Sequence, residues 1–274
     1  MRSDVIYSAI FRVVISLMLI IDIGGNLFFV KDIYAISDFV YHIDGVWNFA
    51  GFLRQHIYLF LMLYLGVLFL NLRGIGTYFT AALVFLMIYL DHMLAHPGTF
   101  WGDSVLRYTL LYFVLADSYR YFALRRSLGK PGIFHQISLL SIKIHFCLVY
   151  MSNALYKWWS DDWTSGYAIG YFFNSSEVQD IFGIGGMFLQ FPDFIRLMSW
   201  FVLIFQTTLP IFIWFKRTKW IWISIGILMH IIMAVTLQLY KFELIMILLF
   251  GFFVTDEEWR RIKTYFKIKL YGKR

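Results

Sequence analysis

The stretch Tyr150–Phe172, YMSNALYKWWSDDWTSGYAIGYF, takes an apolar helix out into a lysine, a group of tryptophans and acids, and a glycine turn. Upstream the same run reaches back to Phe134, so Phe134–Trp158 is long enough to cross a roughly 30 Å hydrocarbon core as a helix. Lys157, flanked by Asn153, Tyr156, Trp158 and Trp159, then stands where a membrane span meets the interface. Two uses fit a cation there. It can snorkel, with its stem in lipid and its head at the phosphates, or it can be desolvated, lose its proton and act as a base or nucleophile.

The rest of the chain repeats the apolar theme. Of 274 residues, 60% are hydrophobic and 15% charged, against about a quarter charged in soluble domains. The runs are continuous, whereas a membrane barrel would show alternating segments of about ten residues. The expected fold is therefore all-α, a polytopic membrane helical bundle of about eight transmembrane helices: Val5–Val30, Ile57–Leu72, Gly76–His96, Ser104–Tyr121, Phe134–Trp158, Phe194–Phe215, Trp220–Leu239 and Phe242–Val254. The second and last are short, and seven spans follow if one of them fails to cross. Residues 1–255 form a single transmembrane domain and 256–274 a basic tail. Arg12 and Asp22 lie inside the first run and no small-residue cleavage site follows it, so it reads as a retained span and not a signal peptide.

The charges test this count, because an error of one span would scramble the alternation of Lys and Arg between loops. One set of segments carries sixteen: Arg2, Arg73, four from Arg120 to Lys130, then Lys216, Arg217 and Lys219, and seven in the tail. The other carries four, Lys31, Arg54, Lys157 and Lys241. Both termini are expected to be cytoplasmic, with the protein in the cell membrane. The net charge of +7 follows from topology and from a tail that can lie on anionic lipid, so nucleic acid is not needed as a partner. The two long connections, Lys31–His56 and Trp159–Asp193, fall on the external face. The first contains YHIDGVWNFAGFLRQH, in which Trp47, Phe49 and Phe52 suit a short interfacial helix; the second contains three glycines, Gly183, Gly185 and Gly186, that mark a bend, lid or re-entrant segment. The lone Cys147 leaves no disulfide framework or thiolate cage.

Ionisable residues at membrane depth are the main functional signal. Arg12 and Asp22, ten residues apart, share a helix face but cannot pair directly, which implies partners on other helices and an interhelical salt bridge as the plain reading. Asp103 and Arg107 form an i,i+4 pair in WGDSVLRY, with Asp103 placed to cap the helix or to serve a site. Asp91, His92 and His96 converge on the same membrane face; the His92–His96 pair alone does not make a metal site. Lys143, Cys147, Tyr150 and Lys157 share one broad face of their helix. His230 lies mid-span and suits a hydrogen bond across helices. Pro210 suggests a kink, and Glu243 is a further buried carboxylate.

At these positions the sequence resembles the HTTM family, the transmembrane domain shared with vitamin K-dependent gamma-carboxylase. The resemblance covers roughly residues 6–254 and rests on Arg12 in AIFRVVISLML, the Gly-Asp and Arg of WGDSVLR, and the block from Tyr150 through Lys157 to Asp162, Trp163 and Gly166. The segment FQTTLPIFIWFKRT and His230 continue it. It implies that Lys157 is the base that starts oxidation of a reduced membrane quinone, with Tyr150 and Trp163 as framework. The short bacterial branch, of sporulation-delaying protein B type, is closer, since no appended lumenal domain is present and Gln206 replaces an acidic residue of the carboxylase pattern. That branch implies help in maturing an exported peptide toxin together with other membrane maturation proteins.

Two readings follow. In one, the protein assists maturation or modification of an exported hydrophobic peptide at the external membrane face. In the other, it is a quinone-dependent membrane enzyme with Lys157 as catalytic base. Arg12, Asp22, Asp103, Arg107, Tyr150, Asn153, Trp163 and His230 are the binding candidates in both.

Overall fold

The computed structural model describes residues 5–34, 46–95, 101–126, 131–175, 183–237 and 239–271, and every regular element among them is helical. Five helices are long and apolar enough to cross a membrane: α1 (Val5–Asn26), α5 (Thr77–Leu94), α7 (Ile133–Trp158), α11 (Pro192–Phe212) and α12 (Lys219–Leu237, of which Lys219–Thr236 qualifies). A sixth candidate is a bent pair. The short helix α3 (Val46–Gln55) meets α4 (Ile57–Arg73) at 89°. Outward positions on these helices are apolar, with Ile21 76% and Phe79 71% exposed, as a lipid solvent requires. The segment around Phe49 and Phe52 is helical, as α3, and both side chains are exposed; the Trp47 side chain lies outside the described residues.

The fourth and eighth expected spans are shorter than their apolar runs. The helix α6 is Trp101–Phe113 and α13 is Tyr240–Phe250, extended by a 3-10 turn at Gly251–Phe253. At 1.5 Å per residue they reach about 20 Å and about 17 Å. Residues 117–120 read Asp-Ser-Tyr-Arg, and their polarity is used to end α6. Asp117 pairs with Arg120 at 2.6 Å and its backbone N–H donates to His135 Nδ1 at 3.0 Å. The expected kink at Pro210 falls near the end of α11, which stops two residues later.

The chain divides into two compact units, residues 1–141 with 254–274, and 142–253. In the first, α1 buries one face against α4. Phe11, Ile15, Leu19 and Ile23 recur at helical spacing, with Ser8 and Ser16 as small residues that let backbones approach. Arg12 is 1% exposed. It donates to the carbonyls of Asn71, Leu72, Ser118, Tyr121 and Phe122 and lies over the Tyr119 ring. Asn71 donates to Ser16 Oγ and accepts from Tyr119 Oη, at 2.9 and 2.7 Å. The expected salt bridge of Arg12 is thus replaced by backbone. The end of α4 and the irregular segment after α6 turn backbone carbonyls toward Arg12, and a planar guanidinium with five donors satisfies them. Gly74, at φ +69°, ends α4, and a Cβ there would lie 2.4 Å from that of Ala123.

In the second unit α12 and α13 run antiparallel across the link at 238–239, close enough that a Cβ on Gly226 would lie 2.1 Å from the Phe250 ring. Phe146, Tyr150, Leu203, Phe205, Leu209 and Phe250 fill the core beside them. Three short helices, α8 (Asp161–Thr164), α9 (Ala168–Phe173) and α10 (Ile184–Leu189), pack along α11, which opens with Pro192 at its first turn.

Candidate functional site

The site begins where α7 ends. After Trp158 the helix breaks at Trp159 and Ser160, and α8 restarts with Asp161 and Asp162 at its positive end. Gly166, at φ +87°, then reverses the chain. A Cβ there would sit 2.4 Å from Arg196 Cγ, so only glycine lets this turn lie flat on α11. The break at Trp159 and Ser160 sets α8 beside the end of α7, and Lys157 Nζ stands 4.7 Å from the centre of the Trp163 ring. Beside it, Trp158 Nε1 donates to Thr207 Oγ1 at 2.9 Å and meets Trp200 edge to face. Arg196 lies over the Tyr167 ring and donates to its hydroxyl. Tyr156, Trp159 and Tyr171 project outward, with Trp159 82% exposed.

This arrangement places two cations on aromatic faces inside an apolar rim. An ammonium on an indole keeps donors free for a second partner, and the attraction belongs to its charged form. Lys157 is therefore set up to hold an anionic or carbonyl oxygen among exposed rings. Asn153 does not join it. Its side chain donates to the Val149 carbonyl of its own helix at 2.8 Å.

Seven residues earlier on α7, about 10.5 Å along its axis, Tyr150 begins a buried chain. Its hydroxyl meets His230 Nε2 at 2.5 Å, and His230 Nδ1 meets Glu243 Oε2. All three are 3% exposed or less, inside a cage of Phe146, Phe205, Phe242 and Phe250. With Glu243 as acceptor, Nδ1 carries the imidazole proton and Nε2 accepts the Tyr150 O–H. Three helices are thereby tied together by one hydroxyl, one imidazole and one carboxylate, the set needed to pass a proton along a line.

The remaining candidates belong to the first unit. Tyr34, at the end of the short helix α2 (Val30–Tyr34), donates to Asp91 Oδ1 at 2.6 Å. Burial and then the Asp91 carboxylate push its hydroxyl well above the ordinary tyrosine range. Asp22 acts electrostatically on both Tyr34 and the fully buried Tyr64. Asp103 is the third residue of α6, inside the helix instead of capping it, and faces His92 Nε2 at 3.6 Å. Arg107 lies over the rings of Tyr89 and Tyr108. Asp91, Asp22 and Asp103 thus all act electrostatically on Tyr64, and Arg12 serves a separate polar network. Among the described residues no three His, Cys, Asp or Glu side chains are disposed to hold a metal; His96 lies outside those residues.

Several contributors carry little sequence signal. Arg196 and Thr207 both lie on α11 and neither belongs to a motif; Arg196 meets the 159–175 connection at Tyr167, and Thr207 meets the end of α7 at Trp158. Glu243 is legible as a buried acid, but its pairing with His230 depends on the Gly226 contact. No protein-family model, no curated protein and no solved structure matches the chain.

Proposed function

We propose that the protein is a multipass membrane protein that assists maturation or modification of an exported hydrophobic peptide at the external membrane face. The observation that carries this reading is Lys157 seated over Trp163 within the exposed aromatic rim of Tyr156, Trp159 and Tyr171. A hydrophobic peptide offers apolar side chains to the rings and carbonyl or carboxylate oxygens to the ammonium. In this reading the chain crosses the membrane eight times with both termini cytoplasmic. The short helices α6 and α13 complete their crossings with irregular or 3-10 backbone, which Arg12 satisfies in the first case. The charge asymmetry of the loops puts the Lys157 rim outside. The likeness to the HTTM family, and to its short bacterial branch, supports the same assignment.

Deleting the gene and profiling peptides in the medium tests this reading. Loss or incomplete processing of a small secreted peptide is expected, restored by the wild-type gene and not by Lys157→Ala with Trp163→Ala. An unchanged peptide profile would overturn it.

A second reading is favoured by Tyr150, His230 and Glu243. A quinone-dependent enzyme needs proton carriers within the bundle, and this chain is the one buried array of that composition in the second unit among the described residues. Lys157 is its base, and a reduced membrane quinone is its cofactor. A base must give up its proton, so Lys157→Arg, which stays protonated, abolishes function in this reading and retains much of it if the charge alone binds peptide.

A further inference from the structure

The C-terminal helix α14 (Asp256–Tyr271) separates its charges along its length. Residues 256–274 carry seven Lys and Arg against three acids, and the acids are the first three residues. Each of the three is engaged. Asp256 accepts the backbone N–H groups of Val5 and Ile6 at 3.3 and 3.1 Å, capping α1 from the other end of the chain. Glu257 pairs with Arg261 at 2.8 Å. Glu258 accepts the Thr255 N–H and hydroxyl at 2.8 and 2.9 Å, while its own N–H returns to Thr255 Oγ1, a capping box that starts the helix. Beyond Arg261 the sequence has only positive charges: Lys263, Lys267, Lys269, Lys273 and Arg274.

The start of the helix is fixed in place. Trp259 stacks on Tyr7, with ring centres 5.3 Å apart and planes within 4°. Because α1 is an apolar helix of spanning length, its first turn lies where the chain enters the bilayer, and α14 leaves from the same level. Sixteen residues make a rod about 24 Å long. Its basic residues alternate with Ile262, Tyr265, Phe266, Ile268, Leu270 and Tyr271. A nucleic acid or an acidic protein would use the charges but not this apolar content, and a helix so charged does not cross. We propose that α14 lies along the membrane surface and binds anionic lipid headgroups, held at its first turn by α1.

The full chain, with Cys147→Ser to remove its one thiol and Phe266→Cys to carry a spin label, is reconstituted in bilayers of phosphatidylcholine alone or mixed with phosphatidylglycerol. Accessibility to oxygen and to a water-soluble nickel chelate reports depth. The label is expected to be immersed in the anionic bilayer and to return to water in high salt. Replacing Lys263, Lys267 and Lys269 by Gln lowers the immersed-to-exposed ratio about 100-fold, as three cations near an anionic surface imply. Equal immersion in both bilayers, equal exposure in both, or protection only on addition of RNA would overturn the proposal. The salt titration uses the basic residues intact, so it decides the matter even if the triple variant fails to insert.

Discussion

Arg12 shows what a buried charge does when it meets backbone in place of a carboxylate. Five carbonyls converge on it, and Phe122, which offers one of them, is held at φ +52°, a conformation that a bulky residue keeps only where its surroundings impose it. Arg12→Ala orphans that group of acceptors and is expected to lower stability by about 3 kcal/mol or more. Arg12→Lys should recover little, because an ammonium cannot fork between two segments. Unfolding in detergent measures both; a wild-type midpoint for Arg12→Lys would show that charge, not geometry, is what matters. The charge itself is legible in the sequence, since an arginine in an apolar run demands partners. Their identity is not, because the carbonyls become available only when α4 and α6 end where they do. At Tyr150, His230 and Glu243 the same limit holds. His230→Ala is expected to cost roughly 3 kcal/mol or more and Tyr150→Phe about 1 kcal/mol, and a double-mutant cycle between Tyr150→Phe and Glu243→Gln should show coupling through the imidazole. Strict additivity would mean that the three groups do not act as a chain.

Among the elements, helix length is what the apolar pattern misjudges. Apolar runs locate α1, α5, α7, α11 and α12 to within a few residues, because the polar residues inside them, Arg12, Asp22, Lys143 and His230 among them, are single and leave the helix unbroken. The run Ser104–Tyr121 conceals a break, since Tyr119 and Tyr121 look apolar while Asp117 and Arg120 pair locally. The capping box Thr255–Glu258 was written in the sequence as T-x-x-E, yet the partner of Asp256 lies 250 residues away in Val5 and Ile6. Asp256→Ala should cost about 1 kcal/mol and leave the far end of α14 unaffected. Between α12 and α13 the decisive residue is Gly226. Gly226→Leu drives a side chain into the Phe250 ring and is expected to destabilise by about 1–3 kcal/mol. Adding Phe250→Ala should recover part of that loss; no recovery would place the strain elsewhere.

At the scale of the whole molecule, the chain's solvent is read from composition, and its chemistry from where polar groups interrupt the apolar runs. The first unit concentrates Arg12 on one network and the acids that act on Tyr64 on another; the second joins the buried hydrogen-bonded line of Tyr150, His230 and Glu243 to a cationic aromatic rim on the same helix, α7. Lys157 was the residue the sequence singled out, and folding gives it Trp163 as a partner across the helix break at Trp159 and Ser160. What the sequence could not supply is the company of Arg196, Trp200 and Thr207, which arrives with the packing of α11 against Trp158 and the 159–175 connection. The central claim is that this rim receives an exported peptide. It is tested most directly by placing a photo-crosslinking amino acid at Trp159, or at Met62, which is 60% exposed on the apolar surface of α4, and irradiating producing cells. A peptide adduct at residue 159 that is absent at residue 62, and lost with Lys157→Ala, is the expected result; no adduct at 159, or equal adducts at both positions, would contradict the account.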